Sequence, residues 1–377
     1  MDYDVIIIGA RVAGSILASL LGDAGQRVLL LDRATFPSDT LSTHFFRAPA
    51  LRAFERLGVR QEVEASAPRL TVNYNAIDGK VFPEPVDRPD DYPYYLCLRR
   101  LTLDDILVQR VRRTAGVELH EGAVASGLLW QGDRCVGVSW KESDEQHEAR
   151  ARTVVGADGV RSFLARQVKP AVEHEEPVRR AMYYAYYRGL EAQDGPAAEF
   201  HYLGNTLVYC FPTDDGLTLL AASVPIDRFK EFKREPEANL EAVLQSMAAL
   251  APRLAGAERQ GPVQGTGSIP GYLRVPYGPG WALVGDAGLV MDPWSGQGID
   301  QGSTAAVLLA EQLGAFLRQQ ADWETTMAAY HQQRNDFSLK TYRRTCNYAA
   351  DLTPMTKAAL ASRGLGAGQE QGLKNGD

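Results

Sequence analysis

The stretch "DVIIIGARVAGS", Asp4 to Ser15, decides the fold of this chain. Its first half is a short apolar run typical of a buried parallel strand, and Gly9 ends that run at a sharp turn. Apolar residues at helical spacing follow, and a second apolar run, "RVLLLD", ends at Asp32. The order strand, tight turn, helix, strand predicts a βαβ unit whose turn binds a dinucleotide.

The glycines of this turn account for the predicted binding. Gly9 permits the turn out of the first strand, and Gly14, next to Ala13, lets the helix pack closely on the sheet. The N–H groups at the start of the helix are available to a pyrophosphate. Asp32 is placed to accept hydrogen bonds from the adenosine ribose, and we expect the neighbouring Arg33 to contact the cofactor as well.

Arg11 departs from the G-x-G-x-x-G fingerprint, because it stands where the pattern has its second glycine. That glycine normally lets the backbone approach the phosphates without a Cβ in the way. An arginine fits if its side chain leaves sideways, and its guanidinium then offers donors to the pyrophosphate. The alternative is that Arg11 lies on the surface, and the residues of the turn alone do not decide between the two.

Length, composition and charge limit the class of protein. A chain of 377 residues with 45% hydrophobic content is long enough for two lobes, and the net charge of −7 argues against a nucleic-acid partner. The four cysteines have no metal-binding spacing, so we expect no metal. No targeting or membrane-spanning segment is evident. We therefore expect a cytoplasmic protein with a small-molecule partner, and its oligomeric state stays open.

The composition and secondary-structure pattern along the chain predict two interleaved domains and a tail. Residues 68–98, rich in Pro, Tyr and Asp, and residues 178–265, with several strands joined by turns, predict a mostly antiparallel substrate-binding sheet inserted into an α/β domain. The α/β domain is discontinuous and ends in helices, with segments 1–67, 99–177 and 266–350. Residues 351–377 are predicted to be a flexible tail, since their end is polar and rich in glycine.

A second segment, "GWALVGDAGLVMDPWSGQGID", indicates a strand ending at Gly285-Asp286, a loop, and a helix that begins near Gly296 and Gly298. With these motifs the chain resembles the FAD-dependent monooxygenases of the p-hydroxybenzoate hydroxylase fold, a family that includes flavin halogenases and geranylgeranyl reductases. The resemblance implies a Rossmann-like α/β domain for FAD with an inserted substrate sheet. It covers most of the chain, and Arg11 is its main departure.

The resemblance implies a role for each motif residue. In the family, the Asp of the Gly-Asp pair, here Asp286, binds the ribityl chain of the flavin. The turn from Pro293 through Gly296, Gln297 and Gly298, followed by Ile299, begins a helix aimed at the flavin ring. Such a helix start stabilises the negative charge of a reduced flavin by roughly 0.3–2 kcal/mol.

Four further residues, in three motifs, match the pattern of the family. Asp158 and Gly159, in "TVVGADGVRS", resemble the Asp-Gly motif near the pyrophosphate and the nicotinamide cofactor. Arg100, in "RRLTLDDIL", resembles the arginine of an R-x-x-L-D-x-x-L motif, which lies beside the flavin. Arg47, in "RAPALRAFERLG", resembles an arginine that contacts the pyrophosphate.

The resemblance leaves three kinds of chemistry open. A monooxygenase would reduce FAD with NAD(P)H, form a flavin C4a-hydroperoxide and hydroxylate an aromatic or polyketide-like substrate. A reductase would act on a carbon-carbon double bond, and "VYCFPTDDGLTLL" resembles a strand of geranylgeranyl reductases. A non-catalytic flavoprotein would only bind FAD. We expect the monooxygenase; a halogenase is not expected, because the W-x-W-x-I-P signature and the family's lysine are absent.

His44 is the candidate catalytic residue. It lies in "FPSDTLSTHFF", which follows the second strand and is expected to approach the flavin edge. An imidazole there would serve as an acid or base, or would donate to a substrate oxygen. The run Tyr183, Tyr184, Tyr186, Tyr187 would place tyrosines on both faces of a strand, one face in the core and one toward an apolar or aromatic substrate.

Overall fold

The computed structural model of the chain describes residues 1–87, 92–191, 193 and 195–365. Residues 88–91, 192 and 194 of the predicted substrate domain and residues 366–377 of the predicted tail lie outside the described part. The helices of the described residues are α1 (Val12–Asp23), α2 (Ala48–Arg56), α3 (Arg60–Ser66), α4 (Arg100–Arg112), α5 (Phe163–Val168), α6 (Phe229–Arg234), α7 (Pro236–Ser246), α8 (Gly298–Leu317), α9 (Trp323–Ala349) and α10 (Thr353–Ala361).

The strands of the described residues form four sheets. They are β1 (Tyr3–Ile8), β2 (Val28–Asp32), β3 (Phe45–Phe46), β4 (Val72–Ile77), β5 (Lys80–Pro85), β6 (Leu96–Cys97), β7 (Val117–Glu121), β8 (Val124–Gln131), β9 (Arg134–Glu142), β10 (Glu145–Gly156), β11 (Val172–Glu176), β12 (Arg180–Arg188), β13 (Ala197–Leu203), β14 (Thr206–Pro212), β15 (Thr218–Pro225), β16 (Glu258–Thr266), β17 (Gly271–Arg274), β18 (Tyr277–Gly278), β19 (Trp281–Leu283) and β20 (Leu289–Val290).

A parallel sheet with the order β19-β10-β1-β2-β7 forms the centre of the first domain. Both faces of β1 are covered: Val5 and Ile7 lie in one hydrophobic core, and Ile6 and Ile8 lie in another on the opposite face. This two-sided burial explains why the strand is a continuous apolar run rather than an alternating one. The α/β class and the Rossmann-like βαβ start predicted from the sequence are confirmed.

The turn after β1 depends on two glycines. Gly9 has φ +104°, and a Cβ there would lie 2.4 Å from the carbonyl oxygen of Ala157. A Cβ on Gly14, in the first turn of α1, would lie 1.7 Å from the carbonyl oxygen of Gly9. Only residues without a side chain let β1, α1 and the end of β10 approach so closely.

The second large sheet is the predicted substrate sheet. Its order is β16-β12-β15-β14-β13-β4-β5, so strands from 68–98 and from 178–265 share it. All of its pairs are antiparallel except β13 with β4, which confirms a mostly antiparallel sheet. The exact domain boundaries stay a prediction.

The tyrosines of β12 divide between the two faces of this sheet. Tyr183 and Tyr187 belong to a core formed with α6 and α7, whereas Tyr184 and the half-buried Tyr186 belong to a cluster with Phe45. The alternation of the strand separates neighbours in sequence in this way. The second face therefore looks toward the loop that precedes α2 in the α/β domain.

The C-terminal helices α8 and α9 occupy the region predicted to be helical, and α8 packs against α1 and α2. In the segment 351–377, predicted to be a flexible tail, Thr353–Ala361 form α10; the flexibility of this segment stays a prediction. Arg180 ties the start of this segment to the substrate sheet, since its guanidinium donates to the carbonyl oxygens of Ala349, Asn205 and Ser223. Among the described residues, no helix is both long enough and apolar enough to cross a bilayer.

Gly14→Ala tests the close packing at the turn. We expect the free energy of unfolding to fall by about 1–3 kcal/mol, because the new methyl group overlaps the Gly9 carbonyl and the turn must open. Gly256→Ala is the matched control, since its Cβ would be 3.6 Å from the nearest described atom, the carbonyl oxygen of Gly189. Urea unfolding measures both variants, and equal stability of the two would contradict this packing.

Candidate functional site

Two helix starts meet at the carboxyl edge of the parallel sheet. Ala13 in α1 is the contact point: a Cβ on Gly285 would lie 3.1 Å from the Ala13 Cβ, and one on Gly302 in α8 would lie 3.9 Å from it. The predicted dinucleotide turn, the Gly285-Asp286 pair and the start of α8 are therefore neighbours. The structure brings together three motifs that are far apart in the sequence.

The N–H groups at both helix starts have no acceptor within their own helix. The first helical bond of α1 runs from the Ser15 N–H to the Arg11 carbonyl, and that of α8 from the Gln301 N–H to the Gln297 carbonyl. The preceding N–H groups are directed outward, and with the helix dipole they favour an anion. A Cβ on Gly298 would meet no described atom within 4 Å, so space is open next to the start of α8.

Asp286 presents an uncommitted carboxylate beside this space. Its backbone is fixed by the Tyr272 hydroxyl, which donates to the Asp286 carbonyl at 2.7 Å, but its side chain has no hydrogen-bond partner among the described residues. The residue is exposed to solvent, yet it lies within a cleft where nearby protein raises the pKa of its carboxyl to about 6. Arg100 partly offsets this desolvation. A carboxylate held in this way fits the hydroxyl groups of a ribityl chain.

Asp32 is oriented by the backbone at the end of β2. Its two carboxylate oxygens accept from the N–H groups of Ala10, at 2.6 Å, and Ala34, at 2.8 Å. Each oxygen keeps lone-pair capacity for a ribose hydroxyl. Arg33 is exposed next to it. The open space at Gly298, the free Asp286 carboxylate and the oriented Asp32 together fit FAD.

Asp158 has a structural role of its own. One carboxylate oxygen accepts from the N–H groups of Phe163 and Leu164 at the start of α5, at 2.6 and 3.2 Å. The other oxygen is buried without a described partner, and burial raises the pKa of the carboxyl. Gly159, with φ +76°, has no described atom within 4 Å of a built Cβ, so the adjacent backbone can be approached.

Arg11 does not point into the turn. Its guanidinium donates to Asp104 Oδ2 at 2.5 Å, to the Ser38 carbonyl and hydroxyl at 3.0 and 3.1 Å, and to the Asp39 carbonyl at 3.1 Å. The side chain leaves sideways, as it must for an arginine to fit at this position. Its donors, however, hold the loop after β2 against α4 rather than being free for a pyrophosphate.

Asp104 is the residue that the motif analysis did not single out. It is fully buried between two guanidiniums, because Arg100 Nε donates to its Oδ1 at 2.9 Å while Arg11 occupies Oδ2. One carboxylate between two arginines leaves a net positive charge beside the helix starts. The signal was present in the sequence, since Asp104 is the Asp of the R-x-x-L-D motif.

Arg47 is bound to the loop that leads into α8. Its guanidinium donates to Asp300 Oδ2 at 3.0 Å and to the carbonyls of Gly296 and Ser295, and its N–H donates to Asp300 Oδ1. Asp300 is buried, and sequence reasoning missed it. These contacts make Arg47 a support of this loop, and its pyrophosphate contact stays a prediction.

The loop itself is built by local chemistry. Pro293 begins a short turn in which the Asp292 carboxylate accepts from the Trp294 N–H at 3.0 Å, and Gly296 then takes φ +59° before Gln297 caps α8. Ile299 is buried in the core beneath it. The glycine is needed here for its conformation, since φ > 0 is unfavourable for other residues.

His44, the candidate catalytic residue, lies in the interior of the protein. It is fully buried, its Nε2 lies 2.9 Å from the Tyr186 hydroxyl, and its Nδ1 is buried without a described partner. Burial, together with a smaller contribution from the charge of Arg100, lowers its pKa to about 3. The burial of the ring favours the neutral imidazole. A catalytic role for His44 stays a prediction.

A groove of about 570 Å³ lies elsewhere, along the outer face of α9 between Asn335 and Tyr348. Its described lining belongs to α9 alone and includes Lys340, Arg343 and Arg344. None of the motif residues described above contributes to it. The proposed FAD site is therefore identified by its converging backbone N–H groups and carboxylates and not by the size of a groove.

Comparison with known proteins agrees with this geometry. A family model described as FAD binding domain matches residues 2–206. The chain is 24% identical over 345 residues to a 1H-pyrrole-2-carbonyl-[peptidyl-carrier protein] brominase of Pseudoalteromonas luteoviolacea, covering 89% of this chain and 82% of the relative. It is 26% identical to digeranylgeranylglycerophospholipid reductase 2 of Methanopyrus kandleri, covering 93% and 85%.

Solved structures share the fold. The myxobacterial chondrochloren halogenase CndH superposes with a TM-score of 0.82 at 23% identity, over 90% of this chain and 81% of that one. PqsL of Pseudomonas aeruginosa, described as a probable FAD-dependent monooxygenase, superposes with a TM-score of 0.79 at 21% identity, over 96% and 99%. At these identities the likeness establishes the fold and not the reaction.

Changing each of the two motif aspartates to alanine should have a different effect on FAD affinity and on stability. Asp286→Ala should weaken FAD binding roughly 10-fold or more, because a charged hydrogen-bond acceptor for the cofactor is lost, and should leave the FAD-free protein as stable as before. Asp158→Ala should lower the free energy of unfolding by about 0.5–2 kcal/mol through loss of the α5 cap, with a smaller effect on FAD. FAD titration and urea unfolding give both quantities, and the reverse order of FAD affinities would contradict these roles.

Arg11→Gly restores the usual fingerprint and tests the role of the side chain. We expect the FAD-free protein to lose about 1–3 kcal/mol of unfolding free energy, because a charged hydrogen-bond network to Asp104 and the loop disappears. A double-mutant cycle with Asp104→Asn should give a coupling energy of at least about 0.5 kcal/mol. Zero coupling with a selective loss of FAD affinity would instead mean a direct phosphate contact.

Proposed function

The chain belongs to the family of proteins with an FAD binding domain and is an FAD-dependent oxidoreductase; from that premise we propose that it is an NAD(P)H-dependent monooxygenase. Its proposed substrate is a small aromatic or polyketide-like molecule, bound between the α/β domain and the substrate sheet. The NAD(P)H donor, the substrate class and the oxygen-transfer step are all parts of this proposal.

The geometry of the site suggests which residues would hold each part of FAD. Asp32 would hold the adenosine ribose, the start of α1 the pyrophosphate, and Asp286 the ribityl chain. The start of α8, supported by Arg47 and Asp300, would direct its free N–H groups at the ring. When bound, FAD supplies the two-electron redox chemistry and the reaction with dioxygen.

One observation supports the proposal most directly: the buried aromatic face of the substrate sheet packs against the loop before α2, which carries His44 and Phe45. Phe45 stacks on Phe211 of β14 with ring centroids 4.6 Å apart, and Tyr184 meets the His44 ring edge-on at 5.4 Å. All four residues are buried. Oxygen transfer requires a site shielded from water, and such a face provides the shield.

The electrostatics of the chain suit a cofactor that becomes negatively charged on reduction. The helix start of α8 favours an anion by about 0.3–1 kcal/mol, and the uncompensated guanidinium charge around Asp104 acts in the same direction. Arg100 is close enough to depress the pKa of both His44 and Asp286. Its charge therefore acts both on the carboxylate proposed for the ribityl chain and on the histidine at the aromatic face.

A reductase of carbon-carbon double bonds is the second candidate, and a specific observation favours it. Phe211 and Pro212 end β14 in the strand that resembles geranylgeranyl reductases, and Phe211 is the ring that stacks on Phe45 beside the cofactor loop. A curated relative that covers nearly the whole chain is a lipid reductase by name. The same shielded face would hold an alkene.

The fate of dioxygen distinguishes the two candidates. We expect the FAD-loaded protein, supplied with NAD(P)H, ¹⁸O₂ and a panel of aromatic compounds, to insert one labelled oxygen atom into a product and to release the other as water. The FAD-binding variant Asp286→Ala is the control and should give no labelled product. Mass spectrometry of the products is the measurement.

The absence of labelled product would favour the reductase when an alkene is reduced instead. If no product carries the label under any ligand, while an alkene is reduced without oxygen by the same NAD(P)H-treated protein, the reductase replaces the monooxygenase. Both outcomes retain the FAD site, so the family assignment is tested separately by the cofactor content of the purified protein.

A further inference from the structure

The C-terminal helix α10 lies across part of the aromatic face of the substrate sheet. Residues directly opposite each other on neighbouring strands point to the same face, and Phe200 of β13 is opposite Asn75 of β4, which is opposite Phe82 of β5. Phe200 and Met355 of α10 both pack against the buried aromatic cluster. The guanidinium carbon of Arg363, just after α10, lies 4.8 Å from the centroid of the Phe82 ring. The helix therefore covers the part formed by β13, β4 and β5, the outer half of this face.

The start of α10 is firmly held. Leu352, directly before the helix, is fully buried in the aromatic cluster, and its N–H donates to Asn205 Oδ1 at 3.0 Å. Asn205 Nδ2 donates to the Ala350 carbonyl at 2.9 Å, and the buried Arg180 guanidinium donates to Asn205 Oδ1 at 2.8 Å. These contacts fix the chain between α9 and α10 to the turn between β13 and β14.

The far end of α10 is held by much less. Arg363 donates to Glu84 of β5 and lies over the Phe82 ring, and both side chains of this ion pair are partly exposed to solvent. An exposed ion pair of this kind contributes little to stability, because water and salt screen it. The end of the helix at Arg363 can therefore leave the sheet more easily than the start at Leu352.

The helix between these ends is packed only shallowly. Of its nine residues, Thr356 is the one that is buried, whereas Met355, Ala359 and Leu360 on the same side are half-buried. A segment with few buried apolar contacts opens at a lower free energy than the core does. An isolated helix of this length is also marginal in water, so α10 would unwind where it leaves the sheet.

We propose that α10 is a gate that admits the substrate to the aromatic face: its end at Arg363 detaches while its start at Leu352 stays bound. The inference rests on the proposed function, in which an aromatic molecule binds between the two domains. Elsewhere on this face, the loop before α2 and the turn before α8 contribute the buried side chains of Phe45 and Trp294. A ligand therefore enters most easily where α10, the shallowly packed element, is displaced. The gate controls entry and exit and takes no part in the chemical step.

An arginine on the other side of the substrate sheet provides a matched control. Arg228 donates to Glu231 at 2.9 Å, and its guanidinium carbon lies 5.1 Å from the centroid of the Phe232 ring, which belongs to the core on the opposite face. The two side chains of this pair are 35% and 49% exposed, close to the 27% and 48% of Arg363 and Glu84. Arg228→Gln and Arg363→Gln thus remove the same kind of contact from opposite sides of the sheet.

The first experiment measures access to the outer half of the face and needs no ligand. Asn75→Cys places a thiol on this half, and Tyr74→Cys places one on the opposite face of the same strand. In the FAD-loaded protein, Arg363→Gln should raise the rate of N-ethylmaleimide labelling in Asn75→Cys by about 2–5-fold, the change that loss of an exposed ion pair supports. Arg228→Gln should leave this rate unchanged, and neither change should alter labelling in Tyr74→Cys. Peptide mass spectrometry separates these sites from the native cysteines.

The second experiment locks the gate. In the double variant Glu84→Cys, Arg363→Cys, a bismaleimide with a reducible linker ties the end of α10 to β5. The probe is p-nitrophenol, mixed rapidly with the oxidised FAD-loaded protein and followed by the flavin absorbance. Locking should slow both association and dissociation roughly 10-fold or more and change the affinity less, because a gate blocks entry and exit alike. Reduction of the linker should restore both rates, and each single cysteine variant treated in the same way should bind at the unlocked rate.

Three results would overturn the proposal. Equal labelling of Asn75→Cys with and without Arg363→Gln would mean that the ion pair does not control access. Unchanged p-nitrophenol association after locking would make α10 a fixed wall, and failure of the wild type to bind p-nitrophenol would mean that such a ligand does not enter here. None of these measurements depends on NAD(P)H or on oxygen transfer, so the monooxygenase proposal can fail while the gate stands, and the reverse also holds.

Discussion

The contact of Ala13 with Gly285 and Gly302 is the constraint on which the site depends. It lets α1 and α8 begin at the same edge of the parallel sheet, with their unsatisfied N–H groups beside each other. A Cβ on Gly285 would lie 3.1 Å from the Ala13 Cβ, closer than ordinary contact, so a side chain there would press the two segments apart. The two positive helix ends then create a place that favours an anionic group, and Asp32 and Asp286 are the carboxylates proposed to hold the hydroxyl groups of FAD.

Buried carboxylates fix the loops around this place. Asp104 binds Arg11 and Arg100, and Asp300 binds Arg47, so two surface segments and two helices are held in register by charge pairs with little access to water. Such pairs contribute more to geometry than to net stability, because desolvation offsets much of their attraction. Their common result is that the loop carrying His44 and Phe45 lies against the start of α8.

The substrate sheet completes the site from the other side. Its face with Tyr184, Tyr186 and Phe211 meets that same loop, and Arg99 bound to Asp214 adds a charged link between α4 and the turn after β14. In the proposed function, this largely apolar face would orient an aromatic substrate by its shape. The proposed substrate site would therefore need both domains.

The sequence by itself determined the βαβ start, the mostly antiparallel inserted sheet and the FAD-binding motifs, because Gly9, Gly14, Asp32 and the Gly285-Asp286 pair act through local backbone geometry. Only the tertiary structure decided the partners of the long or buried side chains. Arg47 was expected at the pyrophosphate, and Arg11 either there or on the surface; their guanidiniums bind Asp300 and Asp104, which are 253 and 93 residues away along the chain. His44 was expected to approach the flavin edge, and the structure buries it beside Tyr184 and Tyr186 of the substrate sheet. A guanidinium or an imidazole takes its role from groups that folding brings near it, and sequence spacing carries no record of them.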